Sequence, residues 1–147
     1  MIKRFIDVGI AVRDLDHAVV MYTHILGITP TMLGPEHYVY PGLKGARFYL
    51  GNATISLIAS HDHASPIARF IEDTGEGVNH ISFEVTDMEQ DMKDMADKGL
   101  LFLSQRPLPF PRGHVIFAHP GSAHGVQIAF VQAASGVDLL SPPAHSD

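Results

Sequence analysis

Apolar positions alternate with smaller or polar ones through Asp7-Val8-Gly9-Ile10-Ala11-Val12, which puts Val8, Ile10 and Val12 on one face of an extended strand. The pattern returns in His80-Ile81-Ser82-Phe83-Glu84-Val85, where Ile81, Phe83 and Val85 take the apolar face. Asp7 through Asp16 aligns without a gap on His80 through Glu89, 73 residues later and about half the chain away. An offset of that size marks an internal duplication, and it governs the expected fold.

In each copy the strand gives way to a helical period. Asp14 and Asp87 stand where an N-cap is needed, each with a carboxylate able to accept hydrogen bonds from unpaired amides of a first helical turn. The first helix carries Leu15, Ala18, Val19, Tyr22, Ile25 and Leu26 at helical spacing and stops at Gly27. The second carries Met88, Met92, Met95 and Ala96 and stops at Gly99. Both stripes are expected to face the core, where flexible thioethers fill gaps between a helix and a sheet.

Strand-like runs follow at residues 38–40, 46–50 and 53–58 in the first copy and at 101–104, 115–118 and 126–131 in the second. Each module therefore reads β-α-β-β-β, an α+β pattern, with module one over about residues 5–60 and module two over about 77–132. Between them, Ser65 as N-cap, Pro66 at the first helical position and Gly75 beyond the end predict a linking helix over about 65–74. Residues 133–147, rich in Ala, Ser and Pro, lack an amphipathic period and are expected to form a loose or partner-covered extension to a single domain spanning 1–132.

Composition narrows the chemistry. With 147 residues, 46% hydrophobic and 18% charged, the chain is large and apolar enough for one globular domain with a core. A net charge of -6 and the lack of a Lys/Arg cluster argue against a nucleic-acid or anionic-membrane partner. No apolar run has the length of a signal or a membrane span, and no cysteine is present for disulfides, so a cytoplasmic protein is expected. The sequence has no glycine-rich phosphate loop, cysteine nucleophile or nucleophile elbow, which disfavours phosphoryl and acyl transfer by those routes.

Four runs together carry a resemblance: Ile6-Asp7-Val8-Gly9-Ile10-Ala11-Val12-Arg13-Asp14-Leu15, Ser65-Pro66-Ile67-Ala68-Arg69-Phe70, Gly77-Val78-Asn79-His80-Ile81-Ser82-Phe83-Glu84-Val85, and Phe117-Ala118-His119-Pro120 before Gly125-Val126. In this order the chain, over about residues 5–132, resembles the vicinal-oxygen-chelate superfamily of glyoxalases, bleomycin-resistance proteins and dioxygenases, and especially its methylmalonyl-CoA epimerase branch. The resemblance implies a curved, cup-shaped mixed sheet with helices outside, and a divalent metal on the cup floor. The metal would orient a carbonyl-bearing substrate and stabilise the enolate formed when a neighbouring proton leaves. It also implies a homodimer.

The family's metal-ligand positions map onto Asp7, Ser56, His80 and Ala129, and the 73-residue offset independently pairs Asp7 with His80 and Ser56 with Ala129. Of the family's donors only the histidine at His80 is kept, because Ala129 has no donor and a serine hydroxyl is a poor one. Asp7 and His80, with Gln127 on the face of Ala129, would make a weak metal site. Alternatively, an Asp7 carboxylate hydrogen-bonded to His80 forms a general base that needs no metal.

By alternation, Ser82 and Thr54 are expected to line the cup beside Ser56 and Gln127 as substrate contacts. Glu84 and His119 are expected in rim or turn structure. His61, His63, His114 and His124 match no ligand spacing and are expected in solvated loops. His37, Tyr38 and Tyr40 fall where the family carries another acid/base residue.

Two functions follow from this reading. One is an isomerase or lyase that removes and returns a proton next to a carbonyl of a small carboxylate or acyl-CoA, with His80 and Asp7 as its catalytic pair. The other is a sequestering protein whose cup binds a small molecule without chemistry, a reading suited to Ile58, Ala129 and Val131 on the cup face.

Overall fold

The computed structural model describes residues 1–143. The alternating runs form the two central strands, β1 (Ile2–Ala11) and β5 (Gly77–Val85). The remaining strands are β2 (Thr31–Leu33), β3 (Leu43–Tyr49), β4 (Thr54–Ser60), β6 (Leu108–Phe110), β7 (Gly113–Phe117) and β8 (Gln127–Ala133). All eight join in one sheet of order β2-β3-β4-β1-β5-β8-β7-β6.

The duplication is visible in the register. β1 runs parallel to β4 with Asp7 opposite Thr54 and Gly9 opposite Ser56. β5 runs parallel to β8 with His80 opposite Gln127 and Ser82 opposite Ala129, the same pairing one repeat later. The modules meet where β1 lies antiparallel to β5, with Asp7 opposite Ser82 and Gly9 opposite His80. Each opening strand thus faces the other's counterpart, so both halves contribute to one cup within a single chain.

The helix of each module covers the other face of the sheet, while the linking helix borders the cup. α1 (Leu15–Leu26) begins where Asp14 accepts a 3.0 Å hydrogen bond from His17 N and ends at Gly27, whose φ of 71° is left-handed. α3 (Met88–Asp97) begins the same way, Asp87 accepting from Gln90 N. Between the modules, α2 (Pro66–Thr74) is capped by Ser65, which accepts from Ala68 N. α1 packs Leu15 and Ala18 on Val12, Phe48 and Leu57, while α3 packs Met88 on Val85, Ile116 and Phe130. Burying a side chain as large as Phe48, which is wholly inaccessible, contributes about 1.5–3 kcal/mol.

Several local expectations are corrected. The strand expected at 38–40 is absent: β2 lies at Thr31–Leu33, after which Pro35 starts a single 3₁₀ turn at Pro35–His37 and the chain bends inward. The run at 101–104 makes only an isolated bridge between Phe102 and Ala118, and β6 forms instead at Leu108–Phe110. β6 contains Pro109, which cannot donate to a ladder, and the strand lies at the sheet edge, where one side needs no partner. Ile25 and Ala96 face solvent, and α3 instead buries Asp91, whose Oδ2 accepts from Asp87 N.

The described part of the extension, after β8, is anchored against the cup. Leu139 is buried with Ile6, Val115, Ala129 and Val131. Arg112 Nη2 donates to the carbonyls of Asp138 (2.7 Å) and Ser141 (3.0 Å), and Arg4 Nη2 donates to Asp138 Oδ1 (3.0 Å). Residues 144–147 of the extension lie outside the described residues.

Candidate active site

Two adjacent rows of side chains cross the concave face. One runs Arg47, Ser56, Gly9, His80, Gln127 and the next runs Tyr49, Thr54, Asp7, Ser82, Ala129. Gly9 leaves a gap in the first row. A Cβ built on it would stand 2.1 Å from His80 Cε1, so the imidazole occupies the space that a side chain at position 9 would need.

Into that gap Asp7 presents a buried carboxylate. Its Oδ1 accepts from Thr54 Oγ1 (2.6 Å) and Ser56 Oγ (2.9 Å), and its Oδ2 faces His80 Nε2 at 3.6 Å. That last separation is a charge contact and not a formed hydrogen bond. On the other side of the ring, His80 Nδ1 lies 3.1 Å from Asn79 Oδ1. Burial pushes the Asp7 carboxyl up, but the His80 imidazole, the Arg47 charge and the Thr54 hydroxyl outweigh it and hold the group below its ordinary value. Asp7 is therefore a carboxylate near neutral pH, neighbour to both a cation and an imidazole.

A cavity of about 150 Å³ opens over these rows. Asp7, His80, Thr54, Ser82 and Gln127 line it, together with the Ala129 methyl. Ser56 lies beneath, almost wholly inaccessible, and supports Asp7 without reaching the cavity, which corrects its expected place as a substrate contact. The opposite wall is apolar, from Ile6, Val115, Val131, Phe117 and Leu139. His37, Tyr38 and Tyr40 enter the wall because the 3₁₀ turn folds them inward. Three polar lining residues escaped the sequence reading: Arg47, Asn79 and Arg112. Arg47 donates from Nε to Ser56 Oγ at 2.9 Å, and only the β3–β4 register signals this, through the short turn that pairs Tyr49 with Thr54.

Other candidates fall elsewhere. Glu84 is buried but outside the cavity, accepting from Arg4 Nε at 2.6 Å with Lys3 Nζ at 3.6 Å. His119 accepts from Gly121 N and so caps a turn. His114, on β7, and His61, His63 and His124 line no part of the cavity.

The donor set does not fit a divalent ion. Ala129 offers a methyl, Ser56 Oγ is committed to Arg47 and Asp7, Asp7 Oδ1 already accepts two hydrogen bonds, and a guanidinium stands alongside. Among the described residues no three His, Cys, Asp or Glu side chains converge in a way that could hold a metal.

Comparison with known proteins agrees with this architecture. The family model described as "Glyoxalase/Bleomycin resistance protein/Dioxygenase superfamily" matches residues 7–118. The chain is 33% identical over 130 residues to the mitochondrial methylmalonyl-CoA epimerase of Homo sapiens, covering 86% of this chain and 72% of that one. It is 31% identical over 137 residues to the ethylmalonyl-CoA/methylmalonyl-CoA epimerase of Cereibacter sphaeroides, covering 90% and 99%. Among solved structures, methylmalonyl-CoA epimerase from Mycobacterium tuberculosis superposes with a TM-score of 0.79 at 29% identity, over 90% of this chain and 89% of that one. A variant of the Streptomyces coelicolor epimerase in complex with 2-nitronate-propionyl-CoA gives 0.81 at 27%, over 92% and 100%. On its duplicated sheet, its register and these matches, the chain belongs to the glyoxalase/bleomycin resistance protein/dioxygenase superfamily.

Proposed function

We propose that this protein is an epimerase-like isomerase that takes a proton from the carbon next to a carbonyl of an acyl-CoA or similar small carboxylate and returns one to the same carbon. Relatives named as methylmalonyl-CoA epimerases, and a related structure holding an acyl-CoA analogue, support the reaction class. The observation that carries it is the His80 imidazole standing in the Gly9 gap, with the Asp7 carboxylate 3.6 Å from Nε2. The cavity suits a small acyl group; a nucleotide carrier would remain outside its mouth.

The chemistry follows from those atoms. In the tautomer whose Nδ1–H donates to Asn79 Oδ1, Nε2 keeps its lone pair. That nitrogen takes the proton, the C–H bonding pair forms the enolate, and the new imidazolium faces the Asp7 carboxylate, which stabilises it. The planar enolate turns its other face to the imidazolium, which returns the proton from Nε2 to that face of the carbon, giving the epimer and regenerating the imidazole. Asp7 is held in place by Thr54 and Ser56, while Ser82 and Gln127 offer hydrogen bonds at the cavity wall.

The test is exchange of the substrate α-proton with deuterated solvent, followed by NMR on methylmalonyl-CoA. His80→Ala is expected to reduce exchange by about 10²–10⁴-fold, the range for loss of a positioned base. Exchange that survives the substitution removes His80 from the reaction. The apolar wall favours a second reading, a sequestering protein: saturable binding of acyl-CoA without exchange in the unaltered protein selects it. A cytoplasmic homodimer completes the proposal; no helix among the described residues is long and apolar enough to cross a membrane.

A further inference from the structure

We propose that the Tyr38 hydroxyl and the Arg47 guanidinium form an oxyanion site on the module-one wall of the cup, receiving the substrate oxygen that turns negative as the α-proton leaves. The inference rests on the isomerase reading above and assigns to this chain's own cation the charge stabilisation that the superfamily resemblance gives to a metal.

Tyr38 supplies the first observation. Its hydroxyl is inaccessible and has no hydrogen-bond partner among the described residues. A buried hydroxyl without a partner destabilises a fold, and because Tyr38 lines the cavity, a small turn of its ring lets a ligand oxygen complete the bond. The position is built: the hydroxyl lies 2.0 Å from where a Cβ on Gly45 would stand, so only glycine there admits the phenol. Burial raises the Tyr38 pKa to about 12, which keeps the group a proton donor across the physiological range.

Arg47 supplies the second. It lies two residues along β3 from Gly45, on the same face, and lines the cavity. Among the described residues its hydrogen bond within 3.5 Å runs from Nε to Ser56 Oγ, which in turn donates to Asp7 Oδ1. The guanidinium is thus fixed at one edge, with the Tyr49 hydroxyl also beside it, and Nη hydrogens remain to donate. A fork held this way matches a carboxylate or enolate oxygen better than a mobile lysine would. Asp7 also keeps the arginine charged despite burial, so the positive charge is permanent and preorganised.

The balance closes without a metal. The α-carbon loses its proton to His80 Nε2, the bonding pair moves into the carbon–carbon bond, and the carbonyl pair moves to oxygen. Arg47 Nη–H and Tyr38 O–H donate to that oxygen, and the reverse movement regenerates the carbonyl and the imidazole.

The experiment compares binding of 2-nitronate-propionyl-CoA, which carries the enolate's negative charge on oxygen, with binding of propionyl-CoA, by calorimetry after metal chelation. The unaltered protein is expected to prefer the nitronate. Tyr38→Phe should cut that preference about tenfold and Arg47→Met about a hundredfold, with propionyl-CoA binding weakened less than nitronate binding in each and Arg47→Lys only partly restoring the preference. Tyr38→Phe removes one atom and keeps the test sound should the arginine variant fail to fold. A nitronate preference unchanged in both variants overturns the oxyanion site while leaving proton exchange, measured separately, to judge the isomerase reading. A preference that vanishes on chelation and returns with stoichiometric cobalt or manganese overturns it as well. Absence of both exchange and preference in the unaltered protein defeats the isomerase reading, and the site with it.

Discussion

Gly9 shows how one missing side chain positions another. Its neighbours across the sheet, Ser56 and His80, lie on the same face, and the imidazole leans over the bare backbone to approach Asp7. Gly9→Ala must displace the ring, because the new methyl would stand 2.1 Å from Cε1. A displacement on the order of 1 Å commonly slows a reaction about a hundredfold, so α-proton exchange should fall by that factor while far-UV circular dichroism keeps its shape. A rate equal to that of the unaltered protein means that the place of the ring does not matter. Asp7 and His80 were legible because a duplication points to equivalent positions without any knowledge of contacts. Arg47 was not, since an arginine in an alternating strand reads as solvent-facing until the register sets it against Ser56. Asn79, adjacent to His80, was passed over because its role depends on a side-chain direction and not on spacing.

At the scale of elements, the seam between β1 and β5 joins the halves, and its ends are tied by charge. Arg4 and Glu84 are register partners across it, with Nε 2.6 Å from Oε1, and the carboxylate is buried. Arg4→Met leaves that carboxylate with Lys3 at 3.6 Å and should destabilise the protein by about 1–3 kcal/mol in urea unfolding. Adding Glu84→Gln should recover part of the loss; no recovery means that the pairing is not the source. The helices and their caps were legible because an Asp or Ser followed by an apolar period is local chemistry. The edge strands were not. β2 and β6 have three residues each, and their sites depend on which segment reaches β3 and β7. Pro109 in β6 argues against a strand in general and is tolerated only at the edge.

In the whole molecule, one continuous sheet carries two cores on its helix face and a single cup on the other. The cup is uneven: polar rows dominate near β1 and β4, and an apolar wall closes the module-two side with help from the chain's own extension. Leu139→Ala should lower stability by about 2 kcal/mol, the low end for a buried leucine, because the extension can partly collapse into the space. A change under about 0.5 kcal/mol in denaturant unfolding indicates that Leu139 adds little to the packing. By itself the sequence determined the duplicated β-α-β-β-β order, the caps and the face on which Asp7, Thr54, Ser56 and His80 lie, since period and capping act within a few residues and the repeat is read by aligning the chain on itself. Only the tertiary structure decided that Tyr38 turns inward over Gly45, that Arg47 braces Ser56 and that Arg112 pins the extension at Asp138. Those contacts join separate segments, some close in sequence, and their geometry is set by strand register and by the packing of loops across the cup, which no local pattern encodes.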